Sequence, residues 1–486
     1  MRKKSLFLLL GVLLSFGMLA QSYAAGVGLP TAGSRAVNLG GAYRALSGDW
    51  SAGFWNPAGM TRVDNWNVGA NFSTIMPTAS LTPASYEGHS FNGYTDTEAD
   101  AVAQTFFIPT TGFVHSLDNG FSYGFGVFVP FGLGATWDLF NPVPGYNNEA
   151  GYPEEDYESD LKVIDFHFSG AYKVTDQFSV GLGFGVVYND IIIRQPSLSK
   201  PFEDTALKPL VKAPHDYLVT ELELVGTGIS YSFNGGIIYD VNEKLSLGAS
   251  FRYYTDADLD GEILATNYYT GDPVTLATLT VLHDAGQIDD ATYQAAAAAF
   301  SGQKMTYIDD SDAKATMPLP MNVGVGIAYR ATPKLLFSFD VDWTQWSSWD
   351  SIPLEDITAV DGSNQDSELI ENWDDTWRYS FGAEYIAYEK PNMSMALRGG
   401  YYYETAAIPD ETIGPSIPDS NDKQEIILGT GLTFGKIGVN LLYVHIFVND
   451  RNVDTWNIGD DYGNENVAGE YKADVNEFHV GLEYNF

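Results

Sequence analysis

The stretch Gly120-Phe121-Ser122-Tyr123-Gly124 has the G-x-S-x-G spacing of a nucleophile elbow. That device needs a strand-to-helix turn that exposes the serine at a sheet edge. Here the serine opens a strand just after a hairpin turn at Asp118-Asn119-Gly120, and no helix follows. Asp165, His167 and Ser169 alternate on one strand face and supply the residue types of a hydrolase dyad. Polar side chains lining the interior of a large barrel account for them more simply. The seven histidines, at 89, 115, 167, 215, 283, 445 and 479, form no H-x-x-x-H pair, and the chain has no Cys. Neither a histidine-based nor a thiolate metal site is therefore expected, nor a Cys nucleophile. Gly181 and Gly183 lie within a strand and precede no helix, which fails the dinucleotide fingerprint. The sequence leads to no catalytic residue, no metal ligand and no cofactor.

An interior of that kind has to be built by strands. From about residue 65 onward, apolar and polar residues alternate with period two over long runs. Leu335, Phe337, Phe339, Val341 and Trp343 share one face, against Ser338, Asp340, Asp342 and Thr344. Trp377, Tyr379, Phe381, Ala383 and Tyr385 alternate with Arg378, Ser380, Gly382 and Glu384. Such runs exceed the ~5–6 residues of a soluble strand and suit tilted strands that cross a bilayer. Short polar turns at residues 118–120, 175–177, 242–244, 332–334, 390–392 and 435–436 interleave with long loops. The loops fall roughly at 81–102, 136–160, 196–219, 257–315, 351–371, 405–423 and 450–471. These connections imply an all-β membrane protein, a 14-stranded antiparallel transmembrane β-barrel over residues 65–486. The longest loop carries a predicted helix from Asp289 to Phe300, with Asp289 as its N-cap. The final strand, from Phe478 to the terminal Phe486, is apolar on alternate residues. Bacterial outer-membrane barrels typically present an aromatic chain end of this kind to the barrel assembly machinery. Arg252, Asp340, Asp342, Arg378, Glu384 and Arg398 all face the predicted lumen. They are read as an ion-pair network that holds the interior rigid; alternatively, one arginine receives a substrate carboxylate.

Charge and composition fix the setting. With 25 Lys+Arg against 63 Asp+Glu, the net charge of −38 excludes a nucleic-acid partner, which phosphate would repel. By the bounds above, the loops hold 40 of the 63 acidic residues and 7 of the 25 basic ones. The acidity therefore marks one rim, the extracellular one. It is read as a solvated surface, with divalent-cation binding as the sharper alternative. Residues 1–24 begin with Arg2, Lys3 and Lys4, continue through an apolar run from Leu6 to Ala20, and end in small residues. That is a signal peptide cleaved after Ala24 or Ala25. Its apolar run is shorter than the ~20 residues a spanning helix needs. The chain is expected in the bacterial outer membrane, as a monomer.

Residues 25–64 break the strand pattern and are rich in small residues. A 14-stranded barrel is too wide for its wall side chains to fill, so this segment is expected to fold into the lumen as a hatch. Four features occur in order along the chain: a glycine-rich start with Asn56-Pro57-Ala58-Gly59, then Met317-Pro318-Leu319-Pro320 leading to Asp340-Val341-Asp342-Trp343-Thr344-Gln345-Trp346, then Trp373-Asp374-Asp375-Thr376-Trp377-Arg378, then Ile417-Pro418-Asp419. In these the chain resembles the FadL family of outer-membrane channels for hydrophobic compounds, which includes long-chain fatty acid transporters and TodX-type aromatic hydrocarbon channels. The resemblance implies a hatch built around Asn56, Pro57, Ala58 and Gly59, and a ligand near Gly26, Val27, Gly28 and Leu29. It also implies a kink in the third strand that opens the wall sideways. Pro130 and Gly132 are the candidates for that kink, since a strand proline removes a ladder hydrogen bond and glycine permits a bulge. Pro109 in the second strand is the rival. The implied function is passive uptake of hydrophobic molecules, long-chain fatty acids first. The alternatives are an aromatic hydrocarbon channel or an adhesive or receptor barrel without transport. The implied surroundings are outer-membrane lipid and lipopolysaccharide.

Overall fold

The computed structural model describes residues 27–85, 97–139, 153, 155–199, 202, 205–211, 218–268, 274–301, 305–416, 421–457 and 466–486. The expected signal peptide, Gly26 and Ile417-Pro418-Asp419 lie outside the described residues. Fourteen antiparallel strands form one closed ring. They are β1 (Trp66–Pro83), β2 (Phe106–Ser116), β3 (Phe121–Trp137), β4 (Tyr157–Lys173), β5 (Phe178–Ser199), β6 (Leu218–Asn242) and β7 (Leu245–Tyr254, continued by Ala257–Tyr268). Then follow β8 (Met305–Met317 and Asn322–Thr332), β9 (Leu335–Thr344), β10 (Thr376–Lys390), β11 (Met393–Glu404), β12 (Lys423–Phe434), β13 (Ile437–Val448) and β14 (Gly469–Asn485). The last strand returns to the first, with register from Asn67↔Asn485 to Pro83↔Gly469.

Period-two alternation makes this ring amphipathic in the membrane sense. Phe168, Leu182, Val325 and Leu428 point outward and are each more than half exposed. Their neighbours Ser169, Asn234 and Asp340 point inward and are buried. An outer apolar face and a polar interior are what a bilayer demands of a barrel.

The wall rises further than the loop bounds suggested. Residues 257–268 and 305–315, read as loop, belong to strands that continue β7 and β8, and β5 pairs with β6 as far as Ser199↔Leu218. The outward residues Asp258, Asp260 and Glu262 lack the apolar alternation of a lipid-facing strand. Backbone pairing continues above the lipid all the same, because a ladder needs no apolar partner there.

Residues 27–63 are almost entirely buried and lie inside the ring. Helix α1 (Ser34–Asn38) packs on β11 to β14, and α2 (Ala52–Trp55) packs on β3 and β4. A 3-10 turn, Pro57–Arg62, reaches β2 to β6. On the outer side, α3 (Leu276–Asp284) and α4 (Asp290–Ala299) share a small core with Leu207 and Phe300. The Asp289 side chain caps α4 by accepting from the Thr292 N–H at 2.8 Å, and that bond holds its carboxyl below the usual range.

Candidate functional site

The Asn56-Pro57-Ala58-Gly59 turn is fixed from several sides. Asn56 is extended, φ −160°, as the residue before a proline should be. Its Nδ2 donates to the Arg44 carbonyl at 2.9 Å and to the Ile237 carbonyl of β6 at 3.0 Å. Its Oδ1 accepts from the Ala58 N–H at 3.1 Å. The turn backbone presses on the wall: a Cβ on Gly181 of β5 would lie 2.4 Å from the Ala58 nitrogen. Likewise a Cβ on Gly248 of β7 would lie 2.4 Å from the Arg44 carbonyl oxygen. Gly181 and Gly248 are thus places where another backbone comes close, whereas Gly183 faces the His167 and Asn234 side chains.

Charge ties the same segment to the opposite wall. Asp340 Oδ2 accepts from the N–H groups of Tyr43 and Arg44 at 3.0 and 2.9 Å, and the Arg44 guanidinium pairs with Asp342. Arg378 stands 3.8 Å from Asp342. Glu384 is held by Arg35 at 3.1 Å and by Arg398 at 2.6 Å, and Arg398 also donates to Asn440 at 2.6 Å. Arg252 lies over the Phe54 ring, 3.5 Å from its centroid, and donates to the Phe54 carbonyl. The six charged lumen residues therefore fall into separate groups around the segment rather than one network. Arg35 and Arg44, which sequence reasoning passed over, are the partners, and Arg62 likewise pairs with Asp240 of β6. Their signal was present: residues 27–63 hold three arginines and a single acidic residue, Asp49, and the surrounding wall carries the carboxylates.

The wall is incomplete at one seam. β2 and β3 pair only from Ser116↔Ser122 to Thr111↔Val127. Beyond that point β2 stays on β1 up to Ile75↔Phe106, and β3 stays on β4 up to Trp137↔Tyr157. The strands part at a bulge in β3, where Val129 and Pro130 stand opposite the single residue Ile164 of β4. Below the bulge β3 alternates in burial; from Phe128 to Trp137 every residue is buried, so neither face of that stretch is open to the lipid although it stays paired with β4. Its free edge is taken from inside. Leu29 N–H donates to the Pro130 carbonyl and Gly132 N–H to the Val27 carbonyl, each at 2.8 Å, with Gly28 bridged to Phe131. Pro109 sits on β2 opposite Phe72, on the other edge of the same gap. The two rival prolines flank one opening, where neither owes a ladder hydrogen bond.

Behind the gap the outer lumen is apolar. The Trp346, Trp349 and Trp373 rings lie 4.5 to 5.9 Å apart, and Phe131 reaches Tyr254 at 5.2 Å and Trp346 at 6.0 Å. A cavity of about 80 Å³ joins this region to the charged one. Leu29, Phe131, Tyr254 and Trp346 line it together with Arg44, Arg252, Asp342 and Arg378. Arg378 Nε is buried and has no hydrogen-bond partner among the described residues.

The hydrolase arrangement does not assemble. His167 Nδ1 is 3.2 Å from Asp165 and 3.0 Å from Ser232, whereas Ser169 Oγ has no hydrogen-bond partner among the described residues. Ser122 is buried and bonded to Ser116.

A closed antiparallel ring with an apolar outer belt and a filled lumen is an outer-membrane β-barrel. The chain belongs to the outer membrane protein transport protein family (OMPP1/FadL/TodX), whose model matches residues 17–486. It is similar to the long-chain fatty acid transport protein of Escherichia coli (strain K12), 23% identical over 471 residues, covering 92% of this chain and 93% of that one. It is also similar to outer membrane protein P1 of Haemophilus influenzae (strain ATCC 51907 / DSM 11121 / KW20 / Rd), 24% identical, covering 78% and 75%. The crystal structure of a Pseudomonas aeruginosa FadL homologue shares the fold with a TM-score of 0.72 at 20% identity, covering 95% of this chain and all of that one. The Pseudomonas putida toluene transporter TodX does so with a TM-score of 0.64 at 16% identity, covering 96% and 100%. The protein is an outer-membrane transport barrel.

Proposed function

We propose that the barrel takes up hydrophobic acids, long-chain fatty acids foremost, and releases them sideways into the outer membrane through the gap between β2 and β3. Residues 25–64 act as the hatch that closes the way straight down. The observation that carries this reading is that gap: an unpaired stretch of wall backed by an apolar outer lumen. Ion pairs of Arg35, Arg44 and Arg62 hold the segment beneath in place. An alkyl chain that enters among the extracellular loops finds the lipid as its downhill exit, by ~0.8 kcal/mol per CH₂ buried. No energy coupling is needed.

Two observations favour an acid over a neutral hydrocarbon. The cavity places the Arg252 and Arg378 guanidiniums beside aromatic walls, and a guanidinium is a group suited to a carboxylate. Several relatives carry the name long-chain fatty acid transport protein. The tryptophan cluster and the likeness to a toluene transporter support a second reading, uptake of small aromatic hydrocarbons. Uptake of labelled palmitate and labelled toluene into a host lacking such channels decides between them. Palmitate entry above the empty host, competed by other long-chain acids, is expected. Toluene entry alone would favour the second reading, and entry of neither would overturn transport of both.

A further inference from the structure

The gap is bounded at its outer end. Above it, β2's incoming chain crosses to β3: Val102 N–H donates to the Thr136 carbonyl at 2.9 Å, and Gln104 Nε2 donates to Thr136 Oγ1 at 2.8 Å. Just before this the chain still belongs to β1, with Ala101 N–H on the Ala79 carbonyl at 2.9 Å, and from Phe106 it is paired to β1 again. Residues 102–105 therefore step across the seam and back. The opening is an eye closed below by Thr111↔Val127 and above by the Thr136 contacts. From Val127 to Thr136 is nine steps of β3, which at ~3.3 Å per residue allows at most about 30 Å along the strand. A long extended chain fits that height. Girth, and how far the two edges can part, is what the frame limits.

We infer that Gln104 and Thr136 are specificity-determining residues that set the width of molecule able to pass. The inference rests on the lateral-release reading. Thr136 is 5% exposed and Gln104 half-buried, so their side-chain bond is shielded from competing water and ties strands that share no ladder there. The Val102 backbone bond alone keeps the crossing in place when this tie is removed, but with more play. Narrow chains would notice little; broad ring systems would gain entry.

The test uses the full chain in whole cells lacking similar channels, with two labelled probes: palmitate and a pyrene-tipped acid of matching length. Uptake is normalised to the amount of folded barrel on the cell surface. For Gln104→Ala and for Thr136→Val, the ratio of pyrene-acid to palmitate uptake is expected to rise about fivefold, the factor one hydrogen bond makes in an equilibrium. Thr136→Ser, which keeps the hydroxyl, is expected to hold the wild-type ratio. An unchanged ratio in either loss variant, with palmitate uptake intact, would overturn the assignment and leave lateral release standing. Wild-type palmitate uptake no higher than in cells without the barrel would overturn the release reading itself.

Discussion

Two seams of the wall differ in kind. Where β1 meets β14 the ladder runs unbroken from Asn67↔Asn485 to Pro83↔Gly469. Side chains lock it further. Asn67 Nδ2 donates to Asn485 Oδ1 at 2.9 Å and Ser73 Oγ meets His479 Nδ1 at 2.7 Å, the His479 ring being held in turn by Glu477 of its own strand at 2.7 Å. Where β2 meets β3 the ladder stops at Thr111↔Val127. Part of what is lost there is remade inside, where Val27 and Leu29 bond to β3. Buried backbone groups must find partners, so a wall can open only where a substitute edge is at hand. The closing seam holds the barrel; the other exchanges wall pairing for contact with the segment inside the lumen.

The largest effect should come from abolishing this difference. Deleting Pro130 returns β3 to one-for-one register with β4 and brings its upper half back toward β2. Uptake of labelled palmitate should fall to that of cells lacking the barrel, while the folded barrel still migrates as such in unheated gels. Undiminished uptake would separate the bulge from transport. Next in size is Arg44→Ala, which leaves buried Asp342 with only Arg378, 3.8 Å away, and Asp340 with only backbone donors among the described residues. Breaking a buried pair costs about 3–5 kcal/mol, here borne by the lumenal segment rather than the ladder. Faster amide exchange at Tyr43–Ser47 and a higher single-channel conductance are expected, and an unchanged conductance would argue against a blocking role.

The sequence disclosed the ring but not its fittings. Hairpin turns and period-two faces located every strand, because both signals are local. The outer reaches of β7 and β8 escaped, since acidic residues above the lipid read as loop. Asp340 and Asp342 could be placed on the lumen face by alternation alone. Their partner Arg44 lies nearly 300 residues away in the chain, and such pairing leaves no mark in local pattern. Pro130 and Gly132 were visible as a weak point in β3, but nothing in them announces that Val27 and Leu29 occupy the edge they free. Gly181 and Gly248 were the readable clue that went unused, for a strand glycine signals close backbone approach.

Two smaller tests sharpen the contrast between the seams. Gly181→Ala would drive a methyl against the Ala58 nitrogen and shift the hatch turn, at about 1–3 kcal/mol. It should raise conductance less than Arg44→Ala does. Ser73→Ala removes one side-chain bond across the closing seam, worth about 1 kcal/mol. A slightly lower denaturation midpoint with unaltered uptake is expected; altered uptake would mean that this seam does more than hold.

Sideways release is tested most directly by mapping where a substrate touches the wall on its way out. A long-chain acid carrying a diazirine at its tail can be photolysed during uptake into cells and the labelled peptides identified. Labels on Phe106–Ile108 of β2 and Val129–Leu133 of β3 are the predicted result. Labels instead on the inner-side turns around Lys244 and Arg330, with the β2 and β3 edges clean, would contradict it.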